Sequence, residues 1–154
     1  MRKAVFLIPA LISAIVSASF AIGASAQAKP ETSIEYRQGV YKVIYWNFVP
    51  MAGMVKGDAP YDKEAFAKRA AIVAQMAPLI LEGYGPGTDK GAKTRAKPEI
   101  WTKMDDFKTK LAKMNEEATK LAAIAKTGTF DEIKKQFGAT GKSCKACHDE
   151  YRTE

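Results

Sequence analysis

Apolar side chains recur every three or four residues along most of the chain, with polar side chains between them. This spacing is typical of amphipathic α-helices, each of which buries one face. No segment alternates strictly between apolar and polar residues, as a half-buried strand would. Clusters of glycine and proline divide the pattern into four helical segments. The sequence therefore predicts an all-α protein, an antiparallel four-helix bundle with short connections within each helix pair.

The first two predicted helices each contain a proline. The first spans about residues 32–56 and includes Pro50, which we expect to bend the helix or end it early. The second spans about residues 62–84, with Asp62 as its N-cap and a kink at Pro78. A Gly-Pro-Gly run then ends it, and a long polar loop follows.

The third and fourth predicted helices are separated by a tight turn. Pro98 suits the first turn of the third helix, and Gly128 ends it. Thr129 and Glu132 form a capping box that begins the fourth helix. The inner face of this last helix comprises Phe130, Ile133, Phe137, Cys144, His148 and Tyr151.

The N-terminus has the pattern of an export signal. Arg2 and Lys3 precede a long apolar run, and an Ala-Ser-Ala cleavage site follows at residues 24–26. The alternative is an uncleaved membrane anchor, but the serines and the proline within the run favour cleavage. We therefore expect a cleaved signal peptide at residues 1–26, a bundle domain at residues 27–154, and no membrane attachment after cleavage.

The charge of the chain does not indicate nucleic-acid binding. The formal net charge is +7. However, the lysines are scattered over the polar helix faces and do not cluster with aromatic residues, as they do in nucleic-acid-binding proteins. We expect no nucleic-acid partner.

The most informative motif lies near the C-terminus, where residues 144–148 read Cys-Lys-Ala-Cys-His. Cys-x-x-Cys-His is the attachment signature of a c-type haem. The thiols of Cys144 and Cys147 would add to the two vinyl groups of the porphyrin, and His148 would bind the iron from one face. The sequence therefore predicts one covalently bound haem c.

Other chemistries of the motif fit less well. A thioredoxin-like site needs a βαβ context, which the helical pattern does not provide. A structural zinc site needs four ligands, and the chain has no further cysteine or histidine to complete one. A disulfide between the two cysteines would close a short loop and stabilise the fold little.

His148 is the only histidine in the chain. A second imidazole ligand is therefore impossible, which favours an iron with a weak or absent sixth ligand. The alternative is a thioether ligand and a six-coordinate, low-spin iron. The candidates for this thioether ligand lie mostly on apolar stripes, where methionine usually fills the core. They are Met51, Met54, Met76, Met104 and Met114.

A haem motif on the last of four helices resembles cytochrome c′, the class II c-type cytochromes. The resemblance covers essentially the whole mature chain. It is carried by residues 29–31 (Lys-Pro-Glu), 36–38 (Tyr-Arg-Gln), 55–62, 85–88 (Gly-Pro-Gly-Thr), 98–101 (Pro-Glu-Ile-Trp) and 143–152. The resemblance implies a homodimeric periplasmic protein with a largely five-coordinate haem that binds nitric oxide and carbon monoxide, and that also carries electrons.

The resemblance also implies roles for single residues. Arg37 would pair with a haem propionate, the alternative being a solvated surface arginine. Tyr41 would cover the distal face of the haem, the alternative being a core tyrosine whose hydroxyl meets solvent. Arg152 would lie beside His148, the alternative being a frayed terminal residue. We expect four aromatic residues in the core, with Tyr84 among those that bind the cofactor and some of the set touching the porphyrin edge: Tyr84, Trp101, Phe107 and Phe137.

Three functions follow from these expectations. The leading one is capture or storage of nitric oxide by an open iron, and the second is electron transfer to partner proteins that remain unknown. A haem enzyme such as a peroxidase is the weakest, because His148 is used on the iron and no second histidine is left for acid–base work. We therefore do not expect an enzyme.

Overall fold

The structure is a computed structural model that describes residues 28–154, so the predicted signal peptide lies outside the described residues. Helices make up most of the described backbone. They are α1 (Pro30–Lys56), α2 (Lys63–Met76), a 3-10 helix (Ala77–Gly83), α3 (Glu99–Thr102), α4 (Met104–Thr127) and α5 (Phe130–Tyr151).

The four long helices form the predicted antiparallel bundle, which confirms the all-α fold class. Helix α2 and the 3-10 helix pack between α1 and α4, and α4 packs along α5. The core between them is aliphatic and aromatic, and it includes Ile34, Met51, Phe66, Ile80, Leu121 and Ile133, each with no exposed surface. None of the described helices is both long and apolar enough to cross a membrane.

Helix α1 continues through Pro50 to Lys56, so the expected early end is wrong. Proline cannot donate a hydrogen bond to the carbonyl one turn earlier, which belongs to Trp46. In this structure the Arg69 guanidinium on α2 donates to that carbonyl at 3.4 Å. The carbonyl that Pro50 leaves without a helical partner is therefore bonded from the neighbouring helix.

The second predicted helix changes type near its proline. Helix α2 starts at Lys63, where the Asp62 side chain caps it as predicted, and it ends at Met76. A 3-10 helix then continues through Pro78 to Gly83. A tighter helix bonds each amide to the third residue back, so the proline ring does not meet the carbonyl four residues earlier.

The third predicted helix is interrupted near its start. The short α3 ends at Thr102, Lys103 leaves the helical region (φ −123°, ψ 41°), and α4 begins at Met104. Nothing in the apolar spacing signals this break. At the other end of α4 the predicted capping box is present, with Thr129 and Glu132 each bonding the other's backbone.

The packing of α1 against α5 differs between the two ends of the bundle. At the end near the α1–α2 connection, the rings of Phe48 and Phe137 stack with centroids 4.4 Å apart, and Tyr61 packs on Phe130 at 4.2 Å. We call this the closed end. Towards the start of α1 and the C-terminus of α5 the two helices separate, and a cavity lies between them.

Candidate haem site

The cavity has a volume of about 1030 Å³. This is at the upper end of the range for cofactor and small-molecule sites. Residues from α1, α4, α5 and the loop before α3 line it. Most of the wall is aromatic or aliphatic, including Tyr41, Ile44, Phe48, Tyr84, Phe107 and Leu111.

All three residues of the haem motif line this cavity from the last turns of α5. A spacing of three along a helix places Cys144 and Cys147 on the same side. Both thiols are free, and burial raises the pKa of each, that of Cys147 to about 11. The thiols are therefore neutral, and no disulfide joins them.

His148 borders the cavity next to the two thiols. Loss of hydration and the positive charge of Arg152 both lower the pKa of His148. The imidazole is therefore neutral near pH 7, which is the form that binds a metal. Among residues 28–154, no group of three or more His, Cys, Asp or Glu side chains is arranged to hold a bare metal ion.

This donor set fits haem c. Two thiols and one neutral imidazole lie on one helix at the wall of a cavity of suitable size and apolar character. Cys144 and Cys147 would hold the porphyrin covalently, and His148 would supply the iron ligand.

The C-terminus is fixed on the cavity wall and is not frayed. Helix α5 ends at Tyr151, and Arg152 is its extended C-cap (φ −125°, ψ 134°), whose N–H still donates to the His148 carbonyl at 3.1 Å. Its backbone pairs with Ala96 as an isolated antiparallel bridge. The Lys97 amide donates to the Tyr151 carbonyl at 3.0 Å. This bridge places Arg152 at the rim of the cavity, near His148.

A second anchor holds the end of α5 against α4. The Tyr151 hydroxyl donates to the Asp106 carboxylate at 2.5 Å, and the Tyr151 ring meets Phe107 edge-on. This hydrogen bond lowers the pKa of Asp106. Burial and the same carboxylate raise the pKa of Tyr151. The haem motif therefore lies on a helix whose end is fixed by both α4 and the loop.

Arg37 is buried, with 1% of its surface exposed, so the solvated alternative is wrong. Its guanidinium donates to the carbonyls of Gly83 and Thr88, both at 2.8 Å, and to the Thr94 hydroxyl at 3.2 Å. It also lies over the Tyr84 ring, 4.5 Å from the centroid. Arg37 thus ties α1 to the loop before α3.

Gly83 is needed for this close approach. A Cβ atom at that position would lie 2.6 Å from the Arg37 Cβ. The bonds of Arg37 use its two terminal nitrogens, and no described residue accepts from its Nε. Pairing of Arg37 with a propionate stays a prediction.

Tyr41 lies on the α1 wall of the cavity, one turn after Arg37 as predicted. Its hydroxyl is 3.3 Å from the hydroxyl of Tyr84, so it meets another phenol rather than solvent. Tyr84 is 6% exposed and packs on Phe107. Burial raises the pKa of both phenols. The distal role of Tyr41 stays a prediction.

The structure also adds residues that the sequence did not suggest. Thr88 is 2% exposed and accepts from Arg37, although it lies in a loop without periodicity. Arg95 and Lys42 line the cavity, and no local pattern distinguishes them from other surface cations. Of the methionines considered as iron ligands, Met114 lines the cavity, on the apolar stripe of α4.

The bundle, the terminal haem motif and the apolar cavity above it define a helical c-type haem protein. Comparison with known proteins gives the family. Residues 32–152 match the family model described as Cytochrome C'. The chain belongs to the cytochrome c′ family, and its cofactor is covalently attached haem c.

The match to individual relatives extends over nearly the whole length of each relative. A cytochrome c' of Rubrivivax gelatinosus is 42% identical over 124 residues, which is 80% of this chain and 96% of that protein. The solved cytochrome c prime of Shewanella frigidimarina is 40% identical with a TM-score of 0.79, covering 82% of this chain and 98% of that one.

One solved relative holds a gas. It is a nitric oxide complex of a variant of cytochrome c prime from Alcaligenes xylosoxidans, 38% identical with a TM-score of 0.76. The match covers 82% of this chain and 98% of that chain.

Proposed function

We propose that this chain is a periplasmic gas-binding haem protein, not an enzyme, whose iron is largely five-coordinate. Haem c, when bound, supplies an iron that takes diatomic ligands such as nitric oxide and carbon monoxide and that exchanges single electrons. The observation that carries the proposal is the asymmetry of the cavity. His148 is the one imidazole on its wall, and across from α5 the α1 wall is mostly aromatic and aliphatic.

The α1 wall decides what reaches the open side of the iron. Tyr41, Ile44 and Phe48 succeed one another along that wall at helical spacing. Burial raises the pKa of Tyr41 well above its usual value, so its phenol stays neutral and is a poor metal ligand near pH 7. A small uncharged gas can enter such a site more readily than an anion can. The nitric oxide complex of the relative supports this choice of ligand.

Electron transfer is the second activity of the same site. The cavity reaches the surface beside Lys42, Arg95, Lys145 and Arg152. These cations would favour encounters with anionic redox proteins, because opposite charges steer association. The Lys145 ammonium forms an ion pair with the Asp149 carboxylate, 2.6 Å away.

Met114 makes a six-coordinate electron carrier the rival function. It is the one methionine among the described residues that line the cavity. Met51 is fully buried and is not part of the wall. If the Met114 thioether bound the iron, the protein would be low-spin without added ligand and would bind gases slowly.

Coordination of the ferrous protein separates these functions. We expect visible and resonance Raman spectra of a high-spin, five-coordinate iron that forms adducts with carbon monoxide and nitric oxide. A six-coordinate, low-spin ferrous spectrum without added ligand would contradict the proposal. Met114→Leu sharpens the test, because it changes the spectrum only if the thioether is a ligand. Met51→Leu, a buried methionine off the wall, is the matched control.

An enzymatic role would show itself as turnover of hydrogen peroxide. The described cavity wall offers no second histidine to move protons, so we expect peroxide consumption no faster than that of a haem peptide. Sustained peroxidase turnover that depends on a residue of the wall would overturn this part of the proposal.

The homodimer of the proposal would form through α1 and α2. An exposed apolar stripe on α1 contains Val43, Trp46 and Val49, exposed by 40%, 74% and 45%. Such a stripe favours a protein partner over solvent. We expect Trp46→Glu to convert a dimer to a monomer in analytical ultracentrifugation, with Ala123→Glu on the exposed face of α4 as the control. A wild-type monomer would remove the dimer from the proposal.

Periplasmic location depends on cleavage of residues 1–26. We expect the mature chain to begin at Gln27 and to be found in the periplasmic fraction of the producing cell. A full-length chain in the membrane fraction would support the anchor alternative instead.

A further inference from the structure

We propose that Tyr84 is a positioning residue that holds the Tyr41 phenol in place. It thereby sets how readily the Tyr41 ring moves aside when a gas binds. The inference rests on the proposed function, since it concerns the open side of the same iron. It comes from one contact, the 3.3 Å approach of the two hydroxyl oxygens.

Tyr84 is held rigidly on all sides. It is 6% exposed, and its ring packs on Phe107 at 4.8 Å and on Trp101 at 5.7 Å between centroids. The Arg37 guanidinium lies over the ring, 4.5 Å from the centroid. Trp101 is itself fixed, because its indole N–H donates to the Gly85 carbonyl at 3.0 Å. Tyr84 therefore gives its hydroxyl a fixed position.

Tyr41 is less constrained. It is half-buried and packs against the edge of the core while lining the cavity. Within the described residues, Tyr84 is the one hydrogen-bond partner of its hydroxyl. The ring would have to swing aside for a ligand to occupy the space that it covers, and this movement breaks the contact with Tyr84.

The contact is suited to a reversible restraint. Hydroxyl pairs usually approach to about 2.5–3.0 Å, so 3.3 Å indicates a weak hydrogen bond. Burial raises the pKa of both phenols, so the pair stays protonated at neutral pH. The hydrogen bond between the two phenols should contribute less than an ordinary hydrogen bond. Its loss should therefore change a rate or an equilibrium constant about two- to fivefold.

The test is a double-mutant cycle on the haem-loaded protein, with carbon monoxide as the probe. Tyr84→Phe and Tyr41→Phe each remove one hydroxyl of the pair and keep the ring. We expect each to raise the carbon monoxide association rate about two- to fivefold, and the double variant to be no faster than either. Tyr61→Phe is the matched control, because its buried hydroxyl has no partner in the described residues and lies off the cavity.

Two results would overturn the inference. One is a Tyr84→Phe rate equal to that of the wild type, and the other is a double variant whose effect is the product of the single effects. If Tyr84→Phe does not fold, Tyr41→Phe removes the same contact from the cavity side, and an unchanged rate there overturns the inference equally.

A second measurement does not depend on gas binding. Ultraviolet resonance Raman spectra of ferric, ligand-free protein report the hydrogen bonding of tyrosine. We expect the difference between wild type and Tyr84→Phe to show the loss of one tyrosine and a shift of a second, whereas Tyr61→Phe shows only a loss. If the shift is seen but the wild-type iron does not bind carbon monoxide, the hydroxyl pair exists and the proposed function is wrong. No shift would mean that the pair is absent.

Discussion

The closed end and the cavity end of the bundle are built from the same kinds of residues, yet α1 and α5 pack ring on ring only at the closed end. At the closed end, Phe48 and Phe137 bring α1 and α5 into direct contact. At the cavity end, Tyr41, Tyr84 and Phe107 line a space of about 1030 Å³ instead.

The difference lies in the polar anchors of the cavity end. Arg37 ties the loop before α3 to α1, and Tyr151 ties the end of α5 to Asp106 on α4. The backbone bridge between Ala96 and Arg152 joins the loop to the C-terminus. These contacts link the segments that form the cavity wall and fix their positions relative to one another. The stability of the closed end comes from ring packing, and the shape of the cavity end comes from hydrogen bonds.

Phe137→Ala should have the largest effect on stability. Phe137 is 8% exposed, and its ring stacks on Phe48. Loss of this ring should lower the free energy of unfolding by about 3–5 kcal/mol, because a buried phenyl leaves a cavity. Urea unfolding measures the loss. A loss below about 1 kcal/mol would contradict the packing role given to this ring.

Arg37→Ala should have the next largest effect, and it should act on the cavity end. The carbonyls of Gly83 and Thr88 would lose a charged donor. We expect a loss of about 2–3 kcal/mol in urea unfolding, together with a shifted haem spectrum. Lys68→Ala, which removes an exposed cation from α2, is the control. Equal losses for both variants would contradict the structural role given to Arg37.

Tyr151→Phe removes the anchor of α5 and keeps its ring. The Asp106 carboxylate loses the hydrogen bond that lowers its pKa. We expect the melting temperature of the protein to fall by about 3–6 °C at neutral pH. An unchanged melting temperature would show that the bridge to Ala96 fixes the end of α5 without this bond.

Glu117→Gln should have the smallest effect on stability, and this effect should depend on pH. Glu117 lies away from the cavity wall. It is 7% exposed, and its bonds to Lys113 and Gln136 lower its pKa to about 2. Because the folded pKa lies below that of the unfolded chain, its stabilising effect is present above about pH 4.5 and is lost as the pH falls towards 2.

Glu117→Gln should therefore lower the melting temperature at neutral pH, and the difference from the wild type should shrink in acid. Thermal melts from pH 2 to pH 7 measure this. A difference that stays constant with pH would contradict the assigned pKa. The Soret spectrum should not change at neutral pH, because Glu117 is not part of the cavity wall.

The closed end was largely predictable from the sequence, whereas the anchors of the cavity end were not. Helical spacing identified Phe137 as an inner-face residue, because periodicity reports which side of a helix is buried. The haem motif was also predictable, since its three residues are adjacent in sequence. Arg37 bonds to residues 46, 51 and 57 positions away, in a turn and a loop that have no periodicity.

The helix boundaries show the same limit. The N-caps at Asp62 and Thr129 were predicted, because capping is local chemistry. The hydrogen bond from Arg69 to the Trp46 carbonyl, one turn before Pro50, was not, because it comes from another helix. Contacts between distant segments decide such cases, and a single sequence does not reveal them.

The most direct test is mass spectrometry of the proteolytic peptide that contains residues 144–148. We expect this peptide to carry one haem through two thioether bonds, so that neither Cys144 nor Cys147 reacts with an alkylating reagent. A peptide without haem, in which both cysteines can be alkylated in protein from a host that assembles c-type cytochromes, would contradict the account.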